Sequence, residues 1–170
     1  NTVNFSPPYG TTIITGGTDD NHDFNNVVMV ITYSNNPFDV VTYDMDIDGN
    51  LTLTAGRFSP TTNVYLAGNL IISATTVQDT DDTGDLIFDG VGLQTITNSV
   101  GETAAIAEVQ ISNTSADGVR MDNAVAFSNF IVNAGTKFNC NGNDLTIKGA
   151  FTVDVTGTFI TGNNTVTFSP

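Results

Sequence analysis

The sequence of 170 residues is poor in several residue types that define common protein classes. It has one cysteine, no tryptophan and only four lysine and arginine residues, and only two of its 18 acidic residues are glutamate. A single cysteine, Cys140, excludes an internal disulfide framework, and we expect its thiol to fill a small space in the core. The scarcity of Glu, Lys and Arg leaves few residues to cover the exposed side of a helix.

The shortage of basic residues also limits the kinds of partner. The formal net charge of −14 repels both phosphate backbones and anionic lipid surfaces. No apolar stretch approaches the roughly 20 residues that span a membrane. We therefore predict no nucleic-acid partner and no membrane insertion. A saline extracellular medium would screen the self-repulsion of such a chain.

The residues that are abundant favour strands and turns. There are 27 Thr, 20 Asn and 16 Gly residues, together with many Val and Ile. Residues 51–54, 145–148 and 151–155 alternate apolar and polar side chains, as a strand with one buried face does. Gly and Asn lie between such segments and can adopt positive φ at corners. The composition predicts an all-β protein with short strands.

A short period indicates how the strands are arranged. Six residues of the second half recur 21 positions later as similar or identical residues. In the first half, residues 69–72 resemble residues 50–53 at an offset of 19 positions. Among these pairs are Phe130 with Phe151 and Leu145 with Val166. Stacked coils bring like side chains above one another, whereas a hairpin meander does not require them to return. We therefore predict a parallel β-helix, or β-solenoid, of about 20-residue coils.

Longer repeats suggest an array. Residues 1–7 (NTVNFSP) and 164–170 (NTVTFSP) agree at six of seven positions, and a related motif stands at residues 86–88. When the two halves of the chain are aligned with each other, Leu51 and Leu53 match Phe130 and Val132. We interpret residues 1–170 as one solenoid unit with two divergent halves, about 1–83 and 84–170, and expect it to belong to a longer tandem array or fibre.

Three stretches depart from the strand pattern. Residues 16–40 and 74–85 are rich in polar and acidic residues, and we expect both to protrude from the stack as acidic loops. Residues 102–108 have the only appreciable helical propensity, which predicts one short helical turn.

Several units resemble a known class of repeats. They are residues 50–56 (NLTLTAG), 143–149 (NDLTIKG), 157–159 with 165–168 (GTF and TVTF), and 88–90 with 94–97 (FDG and QTIT). These units are similar to the β-helical repeats of very large bacterial surface and secreted proteins. The resemblance implies a right-handed parallel β-helix, an extracellular or cell-surface location, and a role as stalk, fibre or adhesin body. It carries over no functional residue.

Clustered carboxylates are the candidates for a metal site. Residues 44–49 (DMDIDG) match the first six positions of a calcium loop, but Ala55 stands where the bidentate glutamate belongs, which excludes a complete EF-hand. A simpler Ca²⁺ site remains open, because crowded oxygen ligands repel one another less when they share a divalent ion. Its candidate ligands are Asp44, Asp46 and Asp48, or alternatively Asp79, Asp81, Asp82 and Asp85.

Catalysis has weaker support. Similar solenoids occur in phage tail spikes and pectin-degrading enzymes, and the spacing of Asp44, Asp46 and Asp48 permits a hydrolytic carboxylate pair. The only histidine, His22, lies among acidic residues, and the Gly-His-Gly of the pectinase pattern is absent. We therefore expect no enzyme and no required cofactor.

Two functional hypotheses remain besides a polysaccharide-degrading enzyme. The first is a structural segment of an extracellular repetitive surface protein or filament, whose partners are further copies or neighbouring repeats stacked end to end. The second is a module whose acidic loops bind calcium or glycans. An unpaired strand edge at a solenoid end favours association with another coil.

Overall fold

The chain folds as a stack of coils, each built from short parallel strands. A computed structural model describes residues 1–6, 11–14, 23–30, 37–73, 76–78, 83–101 and 105–169. All strand pairings among these residues are parallel. The predictions of an all-β chain and of a parallel β-solenoid with short stacked coils are confirmed.

The strands are short because Gly and Asn corners interrupt them every few residues. In chain order they are β1 (Thr2–Phe5), β2 (Thr11–Ile14), β3 (Asp23–Phe24), β4 (Asn26–Val30), β5 (Pro37–Val41), β6 (Met45–Ile47), β7 (Leu51–Pro60), β8 (Val64–Leu66), β9 (Leu70–Ile72), β10 (Thr76–Gln78), β11 (Leu86–Phe88), β12 (Gln94–Asn98), β13 (Ala105–Ile111), β14 (Val119–Met121), β15 (Val125–Val132), β16 (Lys137–Asn139), β17 (Leu145–Ile147), β18 (Phe151–Val153), β19 (Thr158–Ile160) and β20 (Val166–Phe168).

Each coil passes through three strand positions, which we call the first, second and third faces. The first face stacks β1, β4, the start of β7, β9, β12, β14, β16 and β19. The third face stacks β3, β6, β8, β11, the ends of β13 and β15, and β18. The second face holds the strand between these two in each coil, from β2 and β5 to β17 and β20. At about 4.8 Å per coil the eight first-face strands span about 34 Å.

The predicted vertical pairs lie in register. Phe130 pairs with Phe151, Leu145 with Val166, and Leu51 with Leu70. Inward side chains therefore pile upon one another and form one continuous apolar core, in which Phe130, Leu145 and Leu51 are at most 1% exposed. Burial of this column of side chains is what stabilises the stack.

The two acidic stretches are not simply protruding loops, which corrects the sequence-based expectation. Residues 16–40 contain β3, β4 and the start of β5, and residues 74–85 contain β10. Val27 and Met29 of β4 and Phe38 of β5 are fully buried. Side chains point alternately inward and outward along each strand, so these apolar residues face the core despite the polar residues around them. Residues 15–22, 31–36, 74–75 and 79–82 lie outside the described part.

The predicted helical turn is also wrong for the residues that can be compared. Residues 105–108 belong to β13, and residues 102–104 lie outside the described part. β13 pairs with β15 over nearly its whole length, and Ile106, Val109 and Ile111 are at most 3% exposed. Pairing and burial outweigh the helix preference of the alanines.

The longer repeats do not mark equivalent positions. Residues 2–5 lie on the first face, 86–88 on the third and 166–168 on the second. Leu51 lies on the first face, whereas Phe130, aligned with it between the halves, lies on the third. The motif therefore marks a strand and not a position in the coil. Whether the chain belongs to a longer array stays a prediction.

Candidate functional site

The three carboxylates of residues 44–48 do not form one cluster. Asp44 lies just before β6, and its Oδ1 accepts the backbone N–H of Asn63 at 2.9 Å. Asp46 lies within β6 in register with Tyr65, and Asp48 follows the strand and is exposed. The three groups lie at successive outward positions before, within and after β6, and they are not gathered around one point.

The metal prediction names residues both inside and outside the described ranges. Across the described ranges, no group of three or more His, Cys, Asp or Glu side chains is placed to hold an ion. Asp79, Asp81 and Asp82 lie outside those ranges. Calcium binding and glycan binding by the acidic stretches therefore stay predictions.

Asn and Asp side chains join consecutive coils at the corners. Along the corner before the first face, the backbone N–H of Asn50 donates to Oδ1 of Asn26 at 2.8 Å, and the N–H of Asn69 donates to Oδ1 of Asn50 at 2.9 Å. Thr95 continues this column with its N–H on Oδ1 of Asn69 at 2.7 Å. Each side chain satisfies a backbone donor that the corner would leave unpaired. This use explains the high Asn content.

A related column along the start of the third face leads to a cluster of acidic and amide side chains. The N–H of Asp85 donates to Oδ1 of Asn63 at 3.2 Å, and Asp85 and Glu108 immediately precede the paired residues Leu86 and Val109. The two carboxyl groups are therefore vertical neighbours on the outside of the stack.

Amide groups hold this carboxyl pair. Nε2 of Gln110 donates to Oδ2 of Asp85, and Nδ2 of Asn129 donates to Oε1 of Glu108 at 2.6 Å. Oδ1 of Asn129 in turn accepts the N–H of Ala150 at 2.8 Å. A groove of about 200 Å³ opens beside these residues, with Ile131, Ala150 and Thr152 among the residues that line it.

The environment of the groove favours the protonated form of one carboxyl. Burial, followed by the hydrogen bond and the charge of Glu108, raises the pKa of Asp85 to about 6, although the hydrogen bond from Gln110 lowers it in part. Burial also raises the pKa of Asp89, which a backbone hydrogen bond lowers and the charge of Asp48 raises. The carboxyl groups of this face thus lie close enough to repel one another. The folded chain therefore binds the proton of Asp85 more tightly than an ordinary carboxyl would.

Cys140 does not belong to a reactive site. Its side chain is fully buried, and burial raises the pKa of the thiol to about 11. The thiolate, which is the nucleophilic form, is therefore disfavoured at neutral pH. This agrees with its expected role as a small core residue.

The last coil exposes side chains that earlier coils bury. Phe168 is 58% exposed and Val153 is 37% exposed, whereas their partners one coil earlier, Ile147 and Val132, are at most 1% exposed. The register is the same, so the difference comes only from the coil that covers one pair and not the other. The end of the stack therefore exposes to solvent side chains at positions that are buried in the preceding coil.

Sequence reasoning placed Asp85 among the candidate calcium ligands but did not connect it with Glu108, Gln110 or Asn129. The offset between Glu108 and Asn129 was a usable signal, since it equals the recurrence period of the second half. The step from Asp85 to Glu108 is longer than that period, and only the strand pairing reveals it.

The described part of the chain contains no helix with the length and apolar character of a membrane span. No protein-family model matches the chain, and neither the curated proteins nor the solved structures compared with it include a significant match.

Proposed function

We propose that this chain is a structural segment of an extracellular repetitive surface protein or filament, serving as part of a stalk or adhesin body. The observation that carries the proposal is the open end of the stack. The last coil presents Phe168 and Val153 in the register in which earlier coils bury Ile147 and Val132. A further coil placed there, of a continuing chain or of a second copy, would extend the same core.

The distribution of charge supports stacking at the ends. The chain has a net charge of −14, which opposes side-by-side association of copies. Residues 155–169 contain no charged side chain, and the side chains of residues 1–6 are also uncharged. The last coil can therefore meet another coil with little charge repulsion, although Asp23 of β3 lies in the first coil. An acidic surface that stays soluble in a saline medium supports the extracellular location.

A non-catalytic role is supported by the geometry of the carboxyl pair. Glycosidases hold their two carboxyl groups about 5 to 9.5 Å apart, so that substrate or water fits between them. Asp85 and Glu108 instead each accept a hydrogen bond from an amide side chain, Gln110 and Asn129 respectively, and lie close enough for Glu108 to raise the pKa of Asp85. Reducing-sugar release from acidic polysaccharides would contradict this part of the proposal.

End-to-end association can be tested by sedimentation velocity over a range of protein concentrations. We expect the 170-residue chain to form larger species as concentration rises, and Phe168→Asp to suppress them, because a charge on the open end opposes stacking. Val91→Asp is the matched control, since Val91 is 88% exposed in the corner between β11 and β12. A strictly monomeric wild-type chain, or equal effects of the two variants, would contradict end stacking.

The location needs a separate test. An antibody raised against this segment should label intact cells of the source organism without permeabilisation. Labelling that requires permeabilisation would contradict a surface role.

A further inference from the structure

The last coil ends in a step and not in a level surface. Its strands, in chain order, are β18 on the third face, β19 on the first face and β20 on the second face. Among the described residues, each of these strands pairs only with a strand of the coil before it. Because the chain rises as it winds, β18 lies lowest of the three. The strand position that follows β20 is therefore on the third face, directly above β18.

The first coil has the complementary shape. It consists of β1, β2 and β3 on the first, second and third faces, and in the described part of the chain each pairs only with the strand one coil above. The rise begins at β1, so the free edge of β1 projects beyond the free edges of the other two strands. One coil rises about 4.8 Å, which sets the height of both steps. A projecting strand on one end thus fits a lowered strand on the other.

The side chains of these two strands also match. Residues 3–5 (VNF) of β1 and residues 151–153 (FTV) of β18 both have an apolar, polar, apolar pattern without a charge. The apolar residues of both strands face the interior of the stack, and the polar residue between them faces outward. Val153 is 37% exposed, whereas Val132 beneath it is fully buried. A strand with the pattern of β1 would cover Val153 as β18 covers Val132.

Stacking of like faces would leave a gap. If β1 of a second copy lay on β19, first face on first face, the third-face strand β3 of that copy would lie two coils above β18. Phe151 and Val153 would then stay uncovered, and the backbone groups on the free edge of β18 would stay unpaired. With β1 on β18 instead, β2 follows over β19 and β3 over β20, and the core continues without interruption.

We propose that a second copy of this chain docks by adding its β1 to the free edge of β18, parallel to it, with Val3 above Phe151 and Phe5 above Val153. Successive copies are then rotated by one face about the solenoid axis. The inference rests on the proposed end-to-end association, and it adds the strand that receives the partner and the angle between the copies.

Disulfide cross-linking between two cysteine variants tests the register. In the proposed joint, the exposed residues Asn4 of one copy and Thr152 of the other are vertical neighbours about 4.8 Å apart, within reach of a disulfide. The controls pair Asn4→Cys with Ile160→Cys or Thr167→Cys, which are exposed outward positions of β19 and β20. Under mild oxidation, Asn4→Cys mixed with Thr152→Cys should give about tenfold more linked heterodimer than either control mixture, as measured by mass spectrometry. Cys140 is fully buried and does not compete.

Two matched charge substitutions test which strand is covered. Val153 and Ile160 are equally exposed, at 37%, but Val153 faces the interior on β18 and Ile160 faces outward on β19. Val153→Asp should raise the protein concentration needed for half-association about tenfold in sedimentation velocity, because the docked β1 would bury the new charge. Ile160→Asp should change that concentration little. Circular dichroism of each variant confirms that its strand content is unchanged.

The outcomes distinguish this inference from the association on which it rests. Association with the main cross-link at residue 160 or 167, equal yields in the three mixtures, or equal effects of the two aspartate variants would overturn docking on β18 and leave end stacking in place. A strictly monomeric wild-type chain would overturn both.

Discussion

The ring of Phe151 stacks on the ring of Phe130 one coil earlier, with centroids 5.7 Å apart and planes inclined by 14°. Phe138 and Phe159 repeat the arrangement at 6.0 Å and 5°. Stacked rings at this separation add to the burial of apolar area. The recurrence of phenylalanine along the sequence thus becomes direct contact between like side chains.

Truncation of a stacked ring should cost more inside the stack than at its end. Phe130→Ala should lower the free energy of unfolding by about 3–5 kcal/mol, because Phe130 is fully buried and contacts the rings of Phe127, Phe138, Phe151 and Phe159. Phe168→Ala should cost less than about 1 kcal/mol, because this ring is 58% exposed. Urea denaturation at low protein concentration measures both. Comparable losses would mean that the last coil is covered in solution.

A side chain at Gly68 should push two coils apart. A Cβ at this position would collide with the carbonyl oxygen of Gly49 in the coil below. Gly68→Ala should therefore lower the free energy of unfolding by about 1–3 kcal/mol. Gly92→Ala is the control, because a Cβ there meets no atom within 4 Å, and it should leave stability unchanged or raise it slightly. A thermal denaturation midpoint that falls equally in both variants would refute the close packing at this corner.

A buried amide pair closes the corner between β11 and β12. Nδ2 of Asn113 donates to Oε1 of Gln94 at 2.8 Å and to the carbonyl oxygen of Gly92 at 2.7 Å, and both amide side chains are at most 1% exposed. Asn113→Leu should cost about 3 kcal/mol of unfolding free energy, because it removes both hydrogen bonds in the interior and leaves the carbonyl oxygen of Gly92 without this donor, while Oε1 of Gln94 keeps only the N–H of Gly90.

The control for this prediction is the neighbouring exposed residue. Thr114→Val changes a polar group at the surface and should alter the unfolding free energy by less than about 0.5 kcal/mol. Urea denaturation of both variants decides the matter, and a tolerated Asn113→Leu would show that the amide network contributes little.

The Asp85 carboxyl should make stability depend on pH in the acidic range. Its pKa of about 6 in the folded state exceeds the ordinary 3.8, so the folded chain binds this proton more tightly than the unfolded chain. The stabilisation is complete below about pH 4 and is lost as pH rises through about 6. Because the group is partly exposed, we expect a contribution of about 1 kcal/mol.

Asp85→Asn isolates this contribution, since the amide cannot titrate. The wild type should lose more unfolding free energy between pH 4 and pH 7 than the variant does, by about 1 kcal/mol. Urea denaturation at both pH values gives the comparison. Identical pH dependence in the two proteins would show that Asp85 does not hold its proton in the folded state.

Part of the fold follows from local pattern. Alternation in residues 51–54 and 145–148 predicts strands, and the short-range recurrence of similar residues predicts the vertical pairs Leu51 with Leu70 and Phe130 with Phe151. These predictions succeed where consecutive coils have similar lengths. The predictions for the acidic stretches and the Ala-rich segment were wrong because local composition contains no information about strand partners on other coils.

By itself the sequence determined a β-solenoid with an apolar core, Gly and Asn corners and short stacked coils, because side-chain alternation and short-range recurrence are properties of the chain alone. Only the tertiary structure decided which face each strand occupies, since the offset between first-face partners is not constant and grows from the pair Leu51 with Leu70 to the pair Leu70 with Ile96. Because the corners differ in length, the sequence offset between paired residues varies from coil to coil. Only the backbone pairing shows which residues are in register. That pairing is what brings Asp85 beside Glu108.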